Sequence, residues 1–361
     1  MFIMAITACQ SNVLSSDVCL TERIAKAYRQ TNDHLPRVKT SCRRCPSYDR
    51  QADTDGYDVR MSWNFASELA RFGPGMLDRP VPLGRARAYC AWVTRSHYEN
   101  FTVASWLLPR RLLPHFQAIY AYCRWSDDLA DETVGGAESL ALLEWWRSEL
   151  AGAFEGQPRH PVMVALAATI HRFRFSPQPF LDLLSAFEQD QYIHDYQSFA
   201  ELLDYCRRSA NPVGRMVLRL FEVDTPDRVE LSDAICTGLQ LANFWQDVAQ
   251  DWVRGRIYLP REDRQRFHYS DGDFAARRYT PAFRELLRFE VARTRDYFAR
   301  GRPLLDLMPR EARIDVELFL SGGSAVLDAI EANNYDVWSH RPIVSRWQKL
   351  KLFGQAMLSL R

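Results

Sequence analysis

The chain lacks any long hydrophobic run. No stretch of about 20 apolar residues occurs in its 361 residues, so the sequence predicts no membrane-spanning helix. The opening residues "MFIMAITAC" have no basic residue before them and no clear cleavage site after them, which disfavours a secretory signal. We therefore expect a cytoplasmic protein, either soluble or lying peripherally on the inner face of the membrane.

Neither sign of charge is in excess. The 46 Lys and Arg residues nearly balance the 45 Asp and Glu residues, and the net charge is +1. Because no bulk attraction to a polyanion results, nucleic acid is not an expected partner. Lysine is absent between Lys39 and Lys349, so permanent positive charge in that interval comes from arginine alone.

Cysteine is sparse and follows no disulfide framework. Four of the eight cysteines lie in the first 60 residues, and the others are scattered along helical patterns, which favours reduced thiols. The spacing "CRRC" at residues 42–45 is half of a zinc motif without a second half, so we interpret it as part of a solvated tail. Residues 1–60 are polar and aperiodic and predict a disordered or loosely attached N-terminal extension, which leaves residues 61–361 as one catalytic domain.

Strand signals are also missing. From about residue 83 onward, apolar residues recur at intervals of three and four, which is typical of helices packed on a core. Pro161, Pro281 and Pro309 stand where helices should begin, because proline is tolerated in the first helical turn. With 47% hydrophobic residues, the pattern predicts an all-α bundle.

What the sequence does contain is a polar stripe on an otherwise apolar helix. In "AIYAYCRWSDDLAD", Tyr120, Arg124, Asp127 and Asp131 follow intervals of four, three and four, so they share one helix face, which we call the first acidic stripe. An acidic pair at helical spacing is more often a solvated face, so this stripe alone is weak evidence for a site.

A second acidic stripe repeats the pattern about 120 residues later. In "GLQLANFWQDVAQDW", Gln240, Asn243, Asp247 and Asp251 follow intervals of three, four and four, again among apolar and aromatic neighbours. Two matched stripes on apolar helices are hard to explain as solvated surface. We therefore predict that both stripes face into the bundle.

Acids buried in this way require a cation. Each buried carboxylate costs several kcal/mol unless it is compensated, and oxygen ligands without sulfur or imidazole suit Mg²⁺. Since Mg²⁺ keeps waters and is often completed by substrate phosphates, a diphosphate bridged to both helices is the predicted ligand. Arg124 and Arg256 are available to bind the same oxygens.

The same segments carry a family resemblance. "AIYAYCRWSDDLAD" and "LANFWQDVAQDWVRGRIYLP" resemble the two aspartate-rich motifs of the squalene and phytoene synthase family, over about residues 95–335. The resemblance implies an isoprenoid-synthase-type helical bundle with a central apolar cavity, and Mg²⁺-bound diphosphate at its mouth. It also implies head-to-head joining or rearrangement of prenyl chains.

Two further segments narrow the resemblance. "HYENFTVAS" (97–105) and "CRRSANPVGRMVL" (206–218) resemble the hydroxysqualene synthases of bacterial hopanoid pathways, which convert presqualene diphosphate and water to hydroxysqualene and diphosphate. The resemblance also implies the metal ligands, because Asp127, Asp131, Asn243, Asp247 and Asp251 match metal positions of the family. Trp125 and Trp245 depart from its motifs by their bulk, which bears on the outline of the cavity. The matching substrate positions are Tyr120, Arg124, Gln240, Arg256 and Tyr258 around the diphosphate, and His97 at the cavity entrance.

An alcohol product requires that one water be held in a dry cavity. Asn211 is the candidate for that catalytic role, because Pro212 would break the helix and free backbone carbonyls nearby. A cap or kink residue is the alternative interpretation of Asn211, and a helix cap or core hydrogen-bonding group is that of His97.

Other functions stay open at this level. A synthase that condenses two prenyl diphosphates, with or without NADPH, would carry the same motifs, whereas a non-catalytic assembly factor predicts eroded acids. The basic, partly apolar residues 345–361 are compatible with a membrane-surface segment or with a packed terminal helix. Other enzymes of hopanoid synthesis are further candidate partners.

Overall fold

The computed structural model describes residues 63–77, 79–97 and 108–345, together with 347–348, 351–352 and 355–356. The predicted N-terminal extension, the "CRRC" spacing and most of the "HYENFTVAS" motif lie outside the described residues. Within the described residues the chain is built from α-helices and contains no β-strand. The helices are α1 Phe65–Phe72, α2 Leu83–Ser96, α3 Leu113–Asp131, α4 Ala137–Phe154, α5 Pro161–Phe173, α6 Gln178–Gln189, α7 Phe199–Ser209, α8 Asn211–Leu220, α9 Pro226–Val253, α10 Arg261–Arg266, α11 Asp271–Ala275, α12 Pro281–Gly301, α13 Leu304–Leu307 and α14 Arg310–Ala332.

The predicted helix starts are confirmed. Pro161 and Pro281 occupy the first turn of α5 and α12, where a missing N–H costs no intrahelical hydrogen bond, and Pro309 is the residue before α14. Thr280 caps α12 by accepting a hydrogen bond from the backbone N–H of Phe283 at 3.1 Å. Of the described helices, none combines the length and apolarity needed to cross a bilayer. Peripheral membrane contact stays a prediction.

The bundle is organised around two long helices that carry the acidic stripes. Helix α3 packs against α2, α4, α5 and α6, while α9, of 28 residues, packs against α7, α8, α12 and α14. The second half of α3 is buried on every side, and so is most of the second half of α9. The residues of both stripes therefore lie in the interior of the bundle.

Glycine allows the tight crossing between α9 and α12. A Cβ atom at Gly301 would lie 2.9 Å from the backbone oxygen of Leu231 and 3.0 Å from the backbone nitrogen of Ile235. Since these are backbone atoms of a neighbouring helix, they cannot move aside independently. The close approach of the two helices therefore depends on the missing side chain.

An apolar cavity lies between α8, α9, α13 and α14. The cavity opens partly to solvent, and the empty space in it and in its opening together is about 460 Å³. Its lining is almost entirely apolar. Its lining residues are Val213, Gly214, Val217, Leu218, Ser232, Ile235, Cys236, Leu239, Leu304, Met308, Val316 and Phe319.

We predict that Gly301→Ala lowers the free energy of unfolding by about 1–3 kcal/mol, because the added methyl group overpacks the α9–α12 crossing. Gly322→Ala is the matched control, since a Cβ at Gly322 in α14 meets nothing within 4 Å. That variant should gain up to about 1 kcal/mol from helix propensity. Urea unfolding of both variants measures the difference, and equal stability of the two would contradict the packing account.

A second prediction concerns Asp315 on α14, whose carboxylate is buried and accepts no hydrogen bond from the described residues. Burial raises the pKa of Asp315 to about 7. Because the folded pKa lies above the unfolded value, this group's contribution to stability is present below about pH 4 and is lost as the pH rises through about 7. Asp315→Asn should therefore gain stability over the wild type between about pH 4 and 7 and keep that gain above.

The measurement is urea unfolding of wild type and Asp315→Asn at several pH values. Glu317→Gln, a half-buried position on the same helix, controls for removal of one charge. A stability difference that stays constant from pH 4 to 8 would refute the assignment of a raised pKa to Asp315.

Candidate active site

The first acidic stripe points into the bundle as predicted. Tyr120, Arg124 and Asp127 on α3 are each less than 10% exposed, and Asp131, in the last turn, retains some exposure. The guanidinium of Arg124 lies 3.8 Å from Asp127 and pairs more closely with Asp128. Arg124 is therefore a buried cation held by two acids of its own helix.

Asp128 has no sequence-predicted role, and the structure gives it one. It is fully buried on α3 and accepts a hydrogen bond from the indole N–H of Trp63 at 3.2 Å. Burial raises the pKa of Asp128 to about 7, while its pair with Arg124 acts in the opposite direction. Asp128, which is not part of the first acidic stripe, thus orients the guanidinium of Arg124.

The second acidic stripe is also buried. Gln240, Asn243, Asp247 and Asp251 are all at most 5% exposed along one face of α9. Both carboxylate oxygens of Asp247 accept hydrogen bonds from Arg341, at 2.5 and 3.1 Å. Arg341 lies beyond the last long helix, so this contact brings the C-terminal part of the chain onto the stripe.

The loop after α9 connects the two stripes. Arg256 forms a two-pronged ion pair with Asp131, at 2.7 and 3.3 Å, so a residue just beyond the second stripe binds an acid of the first. Backbone contacts fix this loop: the N–H of Arg256 donates to the carbonyl of Asp251, and the N–H of Ile257 donates to that of His194. Ile257 also forms an isolated β-bridge with Asp195.

Asp190, at the end of α6, adds an acid that the sequence analysis missed. Its side chain is 3% exposed and accepts a hydrogen bond from the hydroxyl of Tyr205 at 2.8 Å. Burial raises the pKa of Asp190 to about 6, and the positive charge of Arg256 acts in the opposite direction. Arg256 therefore lies in the field of acids from three helices.

The charges of the two stripes act on each other. Burial raises the pKa of Asp127 and of Asp251, and repulsion from Asp131 adds to the rise for both groups. Asp131 thus lies within electrostatic range of both helices, as the predicted confrontation of the stripes requires.

The oxygen atoms on these stripes fit a hard divalent cation. Asp127 Oδ1, Asp251 Oδ2 and Gln240 Oε1 are buried and accept no hydrogen bond within the described residues. Over the described part of the chain, no three Asp, Glu, His or Cys side chains converge closely enough to enclose an ion by themselves. This donor set suits Mg²⁺, which is commonly bound by few carboxylates and completed by water and phosphate oxygens.

The remaining predicted substrate positions differ in their surroundings. Tyr258 is buried and stacks on Phe244 with 3.8 Å between ring centres, and its hydroxyl has no hydrogen-bond partner among the described residues. His97 ends α2, and its Nδ1 lies 2.9 Å from the carbonyl oxygen of Val93. Since a carbonyl only accepts, Nδ1 is the donor and Nε2 is left as an acceptor. This contact is the capping role given above as the alternative for His97.

Asn211 lies at the predicted helix break. Helix α7 ends at Ser209 and α8 begins at Asn211, directly before Pro212. The Oδ1 atom of Asn211 accepts a hydrogen bond from the hydroxyl of Thr237 on α9 at 3.1 Å. Asn211 is thus a buried polar group close in sequence to the cavity-lining Val213.

The two bulky tryptophans do not narrow the cavity. The indole of Trp125 donates to the hydroxyl of Tyr89 at 3.2 Å, and that of Trp245 donates to Thr294 at 2.8 Å. Both rings are completely buried, and neither belongs to the cavity lining. Their bulk therefore fills the buried core away from the cavity lining.

The fold and this site together define a class of protein: a helical bundle with an apolar cavity and a buried, acid-rich region suited to a metal-bound anionic group. A model of the squalene/phytoene synthase family matches residues 94–348. The chain belongs to this family of isoprenoid synthases, which act on prenyl diphosphates.

Individual relatives agree with this membership. A 15-cis-phytoene synthase of Synechocystis sp. is 35% identical over 316 residues, covering 82% of this chain and 94% of the relative. The squalene synthase HpnC from Alicyclobacillus acidocaldarius is 43% identical, with a TM-score of 0.68 over 71% of this chain and 97% of that structure. A dehydrosqualene synthase solved with a ligand shares the fold, with a TM-score of 0.70 and 24% identity over 77% of this chain and 97% of that one.

Proposed function

We propose that the chain is a Mg²⁺-dependent hydroxysqualene synthase that converts presqualene diphosphate and water to hydroxysqualene and diphosphate. The observation that carries the proposal is the continuity of one face of α9. Ser232, Cys236 and Leu239 line the apolar cavity, and the second acidic stripe follows on the same face toward the end of the helix. One substrate can therefore place its hydrocarbon chains in the cavity and its diphosphate between the stripes.

The acidic end supplies the electrostatics of the first step. Bound Mg²⁺ would neutralise the diphosphate and so favour its departure with the bonding electron pair. Asp127, Asp131, Asn243, Asp247 and Asp251 would hold the metal, with Arg124 and Arg256 as further charge partners. Because these groups are already buried and oriented, little reorganisation is needed when the charge separates.

The cavity governs the second step. The carbocation left after ionisation survives only where water is scarce, and the lining of this cavity is almost entirely apolar. The side-chain amide of Asn211, held by Thr237, is a polar group suited to orient one water toward the cation. The water oxygen forms the new C–O bond and its proton is released, which gives the alcohol.

Two similarities favour the proposed hydroxysqualene synthase reaction over other reactions of the family. The segments at 97–105 and 206–218 resemble hydroxysqualene synthases, and identity to the squalene synthase HpnC is 43%, against 35% for the phytoene synthase of Synechocystis sp.. Similarity to several phytoene synthases favours the alternative, condensation of two prenyl diphosphates.

Purified protein with Mg²⁺ should therefore be offered presqualene, farnesyl or geranylgeranyl diphosphate, each with and without NADPH. Identification of the lipid by mass decides between the two.

We predict that Asp127→Asn and Asp247→Asn each lower kcat by at least about 100-fold, because each removes one anionic ligand from the proposed metal site. Release of diphosphate measures the rate, and circular dichroism checks the fold. Asp328→Asn is the control, since Asp328 is an exposed acid on α14 paired with Arg295. Wild-type rates in both stripe variants would reject the metal assignment.

A separate prediction concerns water capture. Thr237→Val removes the hydroxyl that holds Asn211, whereas Thr237→Ser keeps it. We expect Asn211→Ala and Thr237→Val to shift the products from alcohol toward hydrocarbon, because proton loss then competes with misplaced water. Product analysis by gas chromatography and mass spectrometry measures the ratio. An unchanged ratio in both variants would remove Asn211 from the mechanism.

A further inference from the structure

The C-terminal strap, residues 336–345, is bound to α9 by two reciprocal contacts, one of them with Asp247 of the second acidic stripe. Arg341 donates to both carboxylate oxygens of Asp247 and lies 3.4 Å from the side-chain oxygen of Gln246. The amide nitrogen of Gln246 in turn donates to the carbonyl of Pro342 at 2.5 Å. Consecutive residues of α9 thus hold consecutive residues of the strap.

Arg341 differs from the other arginine that pairs with a stripe. Arg256 is about one-tenth exposed and sits in a loop fixed by backbone hydrogen bonds. The side chain of Arg341 is about one-third exposed, and Ile343 close by is 69% exposed. The strap is anchored upstream, where the ring of Trp338 packs against Phe274 and Phe283. Arg341 can therefore leave Asp247 without unpacking Trp338.

A guanidinium and a divalent cation use the same oxygens of a carboxylate. Arg341 occupies both oxygens of Asp247 on one side of the carboxylate, so a metal ion that binds Asp247 from that side displaces at least part of the ion pair. We propose that Arg341 competes with the divalent cation for Asp247, so that the strap sets the metal affinity of the second acidic stripe. This inference rests on the proposed function, which makes Asp247 a metal ligand.

Because of this competition, binding of diphosphate and binding of the metal ion favour each other. A metal ion alone leaves the displaced guanidinium without a partner, whereas a metal ion arriving with diphosphate brings an anion for it. The strap therefore lowers the affinity of the site for a metal ion alone, and it lowers the affinity for a metal ion bound to diphosphate much less. Arg341 is thus a positioning residue, because it changes metal binding through its ion pair with Asp247.

The test is Mn²⁺ binding to the full chain, measured by electron paramagnetic resonance with and without inorganic diphosphate. Arg341→Gln should bind Mn²⁺ alone about three- to tenfold more tightly than wild type, as expected for loss of a partly exposed ion pair. Diphosphate should tighten Mn²⁺ binding less in this variant than in wild type. Hydrogen exchange of residues 336–345 should accelerate when Mg²⁺ is added to wild type.

Two variants separate competition from simple charge effects. Arg341→Lys keeps the charge but loses the planar fork, so Mn²⁺ affinity should rise above that of wild type and stay below that of Arg341→Gln. Wild-type affinity in Arg341→Lys together with tighter binding in Arg341→Gln would overturn competition for the oxygens. Arg295→Gln, which breaks the ion pairs of Arg295 on α12 with Asp328 and Glu331 on α14, should bind Mn²⁺ as wild type does.

Asp247→Asn distinguishes failure of this inference from failure of the proposed function. If Asp247→Asn binds Mn²⁺ as tightly as wild type, Asp247 is not a ligand and the proposed metal site fails with the inference. If Asp247→Asn weakens Mn²⁺ binding but both Arg341 variants match wild type, the metal site stands and the competition alone is rejected.

Discussion

The structure depends on the compensation of buried negative charge. Two helices carry carboxylates into the interior, where an unpaired charge costs several kcal/mol, so each acid needs a cation, a hydrogen-bond donor or a proton. Arg124, Arg256 and Arg341 meet part of that need from three different segments. Oxygens of Asp127 and Asp251 remain without donors among the described residues, and burial raises the pKa of both groups. The proposed divalent cation would satisfy these oxygens.

Helix α9 contributes both to the packing of the bundle and to the candidate active site. Its 28 residues present cavity-lining side chains on one face and the second acidic stripe further along that face, and the helix also packs against α12 and α14. A shift of this helix would therefore move cavity and acids together. Gly238 and Gly301 allow α9 and α12 to approach closely, and so they contribute to the geometry of the site without touching it.

Periodicity was sufficient for most of the fold and for both stripes. Intervals of three and four residues predicted the helices that carry the stripes, apolar neighbours predicted that the stripes are buried, and "SANPVG" predicted the break between α7 and α8, because these signals are local. Asp190 and Arg341 could not be found in this way. Asp190 stands alone after α6, and Arg341 reaches Asp247 across 94 residues, so their roles depend on tertiary contacts that no local pattern encodes. The orientation of Trp125 and Trp245 away from the cavity depends likewise on partners far along the chain.

The exclusive use of arginine has a physical consequence at the site. Because lysine is absent between residues 39 and 349, the cations that meet the acidic stripes are planar forks with several donors rather than single ammonium groups. Arg256 uses this fork to bind both oxygens of Asp131 while it remains within the field of Asp190. An ammonium group is a compact point charge and would bind one of those oxygens less specifically. Arg256 thus links the loop after the second acidic stripe to Asp131 of the first through a rigid, oriented cation.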